Sequence, residues 1–308
     1  MSGIYGSVDE LVGHTPLLAL KNIEKKFKTK AHLFGKCECY NPAFSVKDRI
    51  AKNMLEKVPA SKINKNTVFV EATSGNTGIG LAAMCAAKGY KLVIIMPENM
   101  TRERVALIRH FGAEVILTPK EDGMKGALKK AEILAQKNKD VIILNQFENK
   151  ANVEAHMLTT AAEILSDTKG NVDAIVAGVG TSGTLTGTSR ALKTCIPDLR
   201  VFAVEPKSSP MLSQEHAGAH KIPGIGANFV PPFYDKTLVD EVVTIEDAEA
   251  FEGAEICARL QGLAIGISAG AALKAAIGVA KRDEMKGKNI VVIFPDAIER
   301  YLSMSYFL

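Results

Sequence analysis

The chain has 308 residues, 47% apolar and 23% charged, which is enough for about two ordinary domains and too long for a disulfide- or metal-stapled miniprotein. Its 38 Lys and Arg against 34 Asp and Glu give a formal net charge of +4, spread along the chain except at residues 21–30, which read as a solvated face and not as a nucleic-acid surface. Apolar runs such as Val93-Ile94-Ile95-Met96 fall far short of the roughly 18 residues of a membrane span. Residues 1–10 have neither the basic nor the apolar region of a secretory leader, so a cytoplasmic location with no membrane or nucleic-acid partner is expected. Five cysteines (Cys37, Cys39, Cys85, Cys195, Cys257), odd in number and mostly in apolar segments, read as reduced buried thiols. Cys37 and Cys39 would share one face of a strand as packing residues. No metal site is expected, because no second Cys pair completes a zinc set and Gly218 interrupts the spacing of His216 and His220.

Short β-branched runs alternate with helix-length amphipathic stretches, the pattern of βαβ units on a parallel sheet. In chain order the pattern predicts a helix over 45–57, a strand over 67–70, a helix over 76–88 and a strand over 91–96. A helix over 101–111, a strand over 114–117, a helix over 124–137 and a strand over 141–144 follow. The remainder reads as a helix over 153–165, a strand over 173–177, a helix over 183–193, a strand over 200–204, helices over 245–260 and 268–281, and a strand over 289–294. The fold class is α/β, with two domains that are each a mostly parallel twisted sheet carrying helices on both faces. The polar run Phe147-Glu148-Asn149-Lys150-Ala151-Asn152 places the divide near residue 150, giving domains 1–150 and 151–308. Residues 222–232, with Pro223, Gly224, Gly226, Pro231 and Pro232, read as an ordered loop over a site.

Four segments carry candidate chemistry. Asn41-Pro42-Ala43-Phe44-Ser45-Val46-Lys47-Asp48-Arg49-Ile50 is a turn into a helix with a lysine in its first turn. Lys47 is either a surface member of a charge cluster with Asp48 and Arg49 or an amine of lowered pKa suited to Schiff-base chemistry, and spacing alone favours the former. Thr73-Ser74-Gly75-Asn76-Thr77-Gly78 turns from strand to helix and exposes N–H groups beside hydroxyls, which suits a carboxylate or phosphate. Gly178-Val179-Gly180-Thr181-Ser182-Gly183-Thr184 matches the dinucleotide pattern, with Glu205 where the ribose-binding acid would stand, yet its hydroxyls equally suit a terminal monophosphate. In Gly266-Ile267-Ser268-Ala269-Gly270, Ser268 reads by itself as a helix cap.

In order and spacing these segments, together with Gly224-Ile225-Gly226-Ala227, resemble the fold-type II pyridoxal-phosphate enzymes of the cysteine synthase (O-acetylserine sulfhydrylase) and cystathionine β-synthase family. The resemblance runs from Val12-Gly13-His14-Thr15-Pro16-Leu17 to Glu299-Arg300-Tyr301-Leu302, nearly the whole chain. It implies a tryptophan synthase β-like fold and pyridoxal 5′-phosphate as cofactor. It also implies that domain 1–150 carries the Schiff-base lysine and substrate loop, and domain 151–308 the phosphate cup and the partner of the pyridine nitrogen. Lys47 would form the Schiff base and move the Cα proton, while Asn76 would hydrogen-bond the cofactor's 3′-oxygen. Thr73, Ser74, Gly75 and Thr77 would hold the substrate carboxylate with Gln146. Gly180, Thr181, Ser182, Gly183 and Thr184 would form the phosphate cup, and Ser268 would face the pyridine nitrogen.

A neutral serine at that nitrogen leaves the ring a weaker electron sink than an aspartate would, which favours expelling a leaving group from Cβ over a long-lived carbanion. The implied reaction is therefore β-replacement: O-acetyl-L-serine and sulfide give L-cysteine and acetate through an α-aminoacrylate, a transferase of cysteine biosynthesis. Departures from the family's usual pattern at Ala72, Lys150, Ala161-Ala162, Ala269 and Ala297-Ile298 keep other substrates open. These are cystathionine β-synthase-like chemistry, O-phosphoserine, or cysteine with release of hydrogen sulfide. The family also implies a homodimer, and its members can bind the C-terminal peptide of serine acetyltransferase.

Overall fold

The computed structural model describes residues 3–73, 75–304 and 306. Its strands are β1 (Leu17–Ala19), β2 (His32–Cys37), β3 (Val68–Ala72), β4 (Lys91–Pro97) and β5 (Glu114–Thr118), then β6 (Val141–Ile143), β7 (Ala174–Gly178), β8 (Arg200–Pro206), β9 (Glu241–Ile245) and β10 (Asn289–Phe294). The helices are α1 (Lys21–Phe27), α2 (Lys47–Glu56), α3 (Asn76–Lys88), α4 (Arg102–His110) and α5 (Gly123–Lys137). They continue with α6 (Ala151–Ala155), α7 (Ala161–Asp167), α8 (Gly183–Cys195), α9 (Met211–Gln214), α10 (Asp247–Gln261) and α11 (Ile267–Ala280).

The chain divides into two compact units, and a single cut does not describe them. One comprises Met1–Gly13, Asn41–Asn152 and Arg300–Leu308; the other comprises His14–Tyr40 and Val153–Glu299. The divide read near residue 150 has a counterpart at Asn152, but residues 14–40 go with the second unit because β1 and β2 are built into its sheet. The C-terminal segment returns to the first.

In the first unit, four parallel strands run in the order β5-β4-β3-β6. Alternation sends Val70, Val93 and Ile95 to one face, where Ala127 and Ala131 of α5 pack. Ile94 faces the other way, toward Gly78 of α3 and Ile108 of α4. Both faces are covered, so the strands read as continuous apolar runs. In the second unit the order is β1-β2-β10-β7-β8-β9, parallel except for the edge pair of β1 with β2. Ile175, Ala177, Val201, Ala203, Val291 and Ile293 pack with Ile164 of α7 and with Leu185 and Leu192 of α8. α10 crosses α11 closely enough that a β-carbon at Gly253 would overlap the Gly270 carbonyl.

Two strands, β1 and β9, escape the sequence reading, and of β2 it has only the strand placement of Cys37. Cys39 lies in a 3₁₀ turn beyond β2, so it does not share a strand face with Cys37. The helix expected over 153–165 runs as α6, a π-helical turn His156–Thr160 and α7. α10 starts at Asp247, not Ile245, because Glu246 and Glu249 form a reciprocal capping box there. The five cysteines are all free, and burial pushes the thiols of Cys37, Cys85 and Cys257 up to about 12. Cys195, however, is exposed.

Candidate active site

Lys47 is the first residue of α2, half-buried, with its backbone N–H donated to Ser45 Oγ at 3.2 Å. The preceding turn is held by buried Asp48, whose Oδ2 accepts from the Ala43 N–H at 2.6 Å. α2 lies directly on α3. A β-carbon at Gly80 would be 3.2 Å from the Lys47 carbonyl oxygen and from Asp48 Oδ1, so glycine permits the approach. The lysine's helix is thereby fixed against the helix that opens with the proposed substrate loop.

That loop leaves the carboxyl end of β3, and the amino terminus of α3 carries no side-chain cap. Gly75 N–H donates to Thr73 Oγ1 at 3.3 Å, and Thr77 Oγ1 donates to Gln146 Oε1 at 2.6 Å. Gln146 follows the neighbouring strand β6; its backbone N–H reaches Glu71 Oε1 at 3.2 Å and its carbonyl accepts from Asn152 Nδ2 at 2.8 Å. Thr73, Gly75, Thr77 and Gln146 are thus brought together in the first unit, and all four are buried. Ser74 lies outside the described residues. Asn76 Oδ1 accepts from Arg300 Nη1 at 2.6 Å, and Arg300 Nη2 donates to the Ala43 carbonyl, so one buried guanidinium ties Asn76 to the turn before Lys47.

In the second unit, Gly180, Thr181, Ser182, Gly183 and Thr184 follow β7 and open α8, whose N-cap residue Ser182 makes no side-chain capping bond. Thr181 Oγ1 accepts from the Gly183 N–H at 3.3 Å, Ser182 sits at φ 67°, and Thr184 Oγ1 is 3.2 Å from His156 Nε2. Ser268 occupies the first turn of α11, which is anchored to the end of the adjacent strand β10 by Gly266 N–H donating to the Asp296 carbonyl at 2.9 Å. Gly224 joins the two places. A β-carbon at Gly180 would overlap the Gly224 carbonyl, and one at Gly224 would lie 3.9 Å from Ser268 Oγ. The loop over 222–232 is held by Gly226 N–H to the Val179 carbonyl, 3.0 Å, and by His220 Nε2 on the Gly226 carbonyl, 2.8 Å. His216 and His220 stand in a non-helical segment after α9 and share no helix face.

The dinucleotide alternative fails on Glu205. Its carboxylate accepts from Leu212 N–H at 2.7 Å, Ser213 N–H at 3.1 Å and Ser213 Oγ at 2.6 Å, capping α9 instead of standing ready for a ribose.

Residues 8–296 match the family model described as "Pyridoxal-phosphate dependent enzyme". The chain belongs to the pyridoxal-phosphate dependent enzyme family. A cysteine synthase of Buchnera aphidicola subsp. Schizaphis graminum is 44% identical, over 100% of this chain and 97% of its own. Among solved structures, a hydrogen sulfide-producing enzyme of Fusobacterium nucleatum matches with TM-score 0.93 and 44% identity, over 97% of this chain and 100% of its own. A cysteine synthase of Entamoeba histolytica matches with TM-score 0.94 and 37% identity, over 99% and 91%.

As a member of this family, the chain is an enzyme that uses pyridoxal phosphate. The second unit fits that cofactor's phosphate. Buried Thr181 and Ser182 hydroxyls stand at a helix amino terminus whose N-cap residue makes no side-chain capping bond, and glycine at 180 lets the loop pack directly on the Gly224 carbonyl. Three buried side chains beside the loops of the first unit were not singled out by sequence reasoning: Arg300, Glu71 and Arg104. Arg300 lay within the closing Glu299-Arg300-Tyr301-Leu302 motif, which was its one signal. Neither Glu71 nor Arg104 has a local one. Burial pushes the Glu71 carboxyl up to about 7, against the hydrogen bonds it receives from the residue 145–146 turn.

Proposed function

We propose that this enzyme makes L-cysteine and acetate from O-acetyl-L-serine and sulfide by β-replacement. The observation that carries the reading is the packing of α2 on α3 at Gly80, which holds Lys47 beside the helix that begins with the Thr73–Thr77 turn. Pyridoxal phosphate, when bound, supplies the electron-withdrawing ring that makes the substrate's Cα–H acidic. Thr73, Ser74, Gly75 and Thr77 hold the substrate carboxylate, with Gln146 fixed by its bond to Thr77. Asn76 donates to the cofactor's 3′-oxygen, its amide oriented by Arg300. Gly180 to Thr184 take the phosphate. Lys47 holds the cofactor and then carries the Cα proton; acetate leaves Cβ and the sulfur of sulfide adds there. Ser268 offers a neutral hydroxyl to the pyridine nitrogen, which favours loss of the β-substituent over a persistent carbanion.

A homodimer, cytoplasmic location and recognition of a serine acetyltransferase C-terminal peptide belong to the same proposal, by family resemblance. No helix among the described residues is long and apolar enough to cross a membrane. Release of hydrogen sulfide from cysteine is the second reading, favoured by the identity to the Fusobacterium nucleatum enzyme, which equals that to the Buchnera aphidicola cysteine synthase. Borohydride reduction of the purified protein followed by peptide mapping tests the site: the cofactor should be fixed to Lys47 in the parent and to no residue in Lys47→Ala. Fixation elsewhere in the parent would refute the assignment.

A further inference from the structure

Arg104, on α4, is only 7% exposed, and its Nε is fully buried with no hydrogen-bond partner among the described residues. The guanidinium stands over the ring of buried Tyr301, 4.9 Å from its centroid. It also meets the loop: a β-carbon at Gly75 would lie 3.1 Å from Arg104 Nε and 3.4 Å from Cζ, so the cation rests against the Gly75 backbone. Glu103, the preceding residue, feels the charge of Arg104, but its hydrogen bonds go elsewhere. Its carboxylate oxygens accept from Ser303 N–H at 3.2 Å and Ser303 Oγ at 2.9 Å.

Burying a cation with its Nε donor unmet is costly, and an aromatic face recovers only part of that cost. The same place holds an uncapped helix amino terminus whose Gly75 N–H makes only a 3.3 Å bond to Thr73 Oγ1. An anion arriving at the loop amides would accept from those N–H groups and also lie in the field of the buried cation, where their attraction is weakly screened. We propose that Arg104 is the counter-charge of the Thr73–Thr77 loop, a positioning residue that makes the loop select an ionised carboxylate over a neutral group of the same shape. The inference rests on reading this loop as the carboxylate site. Arg104 acts through the Gly75 backbone and does not take part in the chemistry.

The test compares holoenzyme of the parent with Arg104→Met, Arg104→Gln, Arg104→Lys and Thr73→Ala. The readouts are KM and kcat for O-acetyl-L-serine, and the inhibition constants of L-alanine and of L-alaninamide, in which an uncharged carboxamide replaces the carboxylate. Loss of the charge in the Met and Gln variants should raise KM and the L-alanine constant by about 10- to 100-fold, the range of a lost charge-assisted interaction. The L-alaninamide constant and kcat should change little, and Arg104→Lys should keep most of the discrimination. Equal weakening of acid and amide, or no change in either, would overturn the role of Arg104. If Thr73→Ala alone weakens L-alanine, the loop still binds the carboxylate and only the Arg104 assignment falls. If neither position matters, the carboxylate reading of the loop falls with it.

Discussion

Arg300 Nη1 donates to Asn76 Oδ1 at 2.6 Å, which fixes the sense of that amide: oxygen toward the guanidinium, nitrogen away from it. Nδ2 is then the end suited to donate to a cofactor oxygen. Arg300→Met removes this bond and the one to the buried Ala43 carbonyl, whose loss of a partner costs about 1–3 kcal/mol. The variant should unfold at lower urea concentration and bind pyridoxal phosphate more weakly in a titration of the apoenzyme. Unchanged cofactor affinity would separate Asn76 orientation from cofactor binding.

Gly180 faces the Gly224 carbonyl with no room for a side chain. Gly180→Ala should push the phosphate loop off the Gly224–Gly226 turn. Circular dichroism should stay near that of the parent while the Kd of the apoprotein for pyridoxal phosphate rises at least about tenfold, a shift worth about 1.4 kcal/mol or more. An unchanged Kd in the alanine variant would show that the loop tolerates the displacement.

The raised pKa of Glu71 has a definite sign in stability. The folded state keeps its proton up to about pH 7, whereas the unfolded chain releases it near the ordinary glutamate value of 4.5. Between those values the native state binds more protons, so its stability falls as pH rises, by about 3 kcal/mol in total, and the loss is complete above pH 7. Glu71→Gln retains an oxygen to accept the Gln146 N–H and removes the titration. Urea unfolding at pH 5 and pH 8 should show a smaller difference for the variant, which should be the more stable protein at pH 8. Parallel pH dependence in parent and variant would place the titrating group elsewhere.

Buried parallel strands such as β4 and β10 were legible because both their faces are covered, which leaves an unbroken run of Val, Ile and Leu. β2 was not, since Gly35 and Lys36 interrupt its pattern for reasons that lie far off in the chain. Gly35 makes room for the Phe294 ring, and fully buried Lys36 is satisfied by Glu163 at 2.8 Å and the Thr15 carbonyl at 2.7 Å. The same distinction holds at the site. Lys47, the Thr73–Thr77 turn and the Gly180–Thr184 loop are contiguous motifs whose chemistry travels with their spacing. Arg300, Glu71 and Arg104 acquire meaning only from residues brought to them by the fold, and Ser268 looks like a cap until Gly224 is seen beside it.

The most direct test of the β-replacement reading is a product balance on the holoenzyme given O-acetyl-L-serine and sulfide, set beside L-cysteine, L-serine and O-phospho-L-serine as sole amino-acid substrates. Acetate and L-cysteine should form one to one, with kcat/KM for O-acetyl-L-serine the highest of the four and no product from Lys47→Ala. Hydrogen sulfide release from L-cysteine outpacing cysteine formation, or a preference for the phosphate ester, would contradict it.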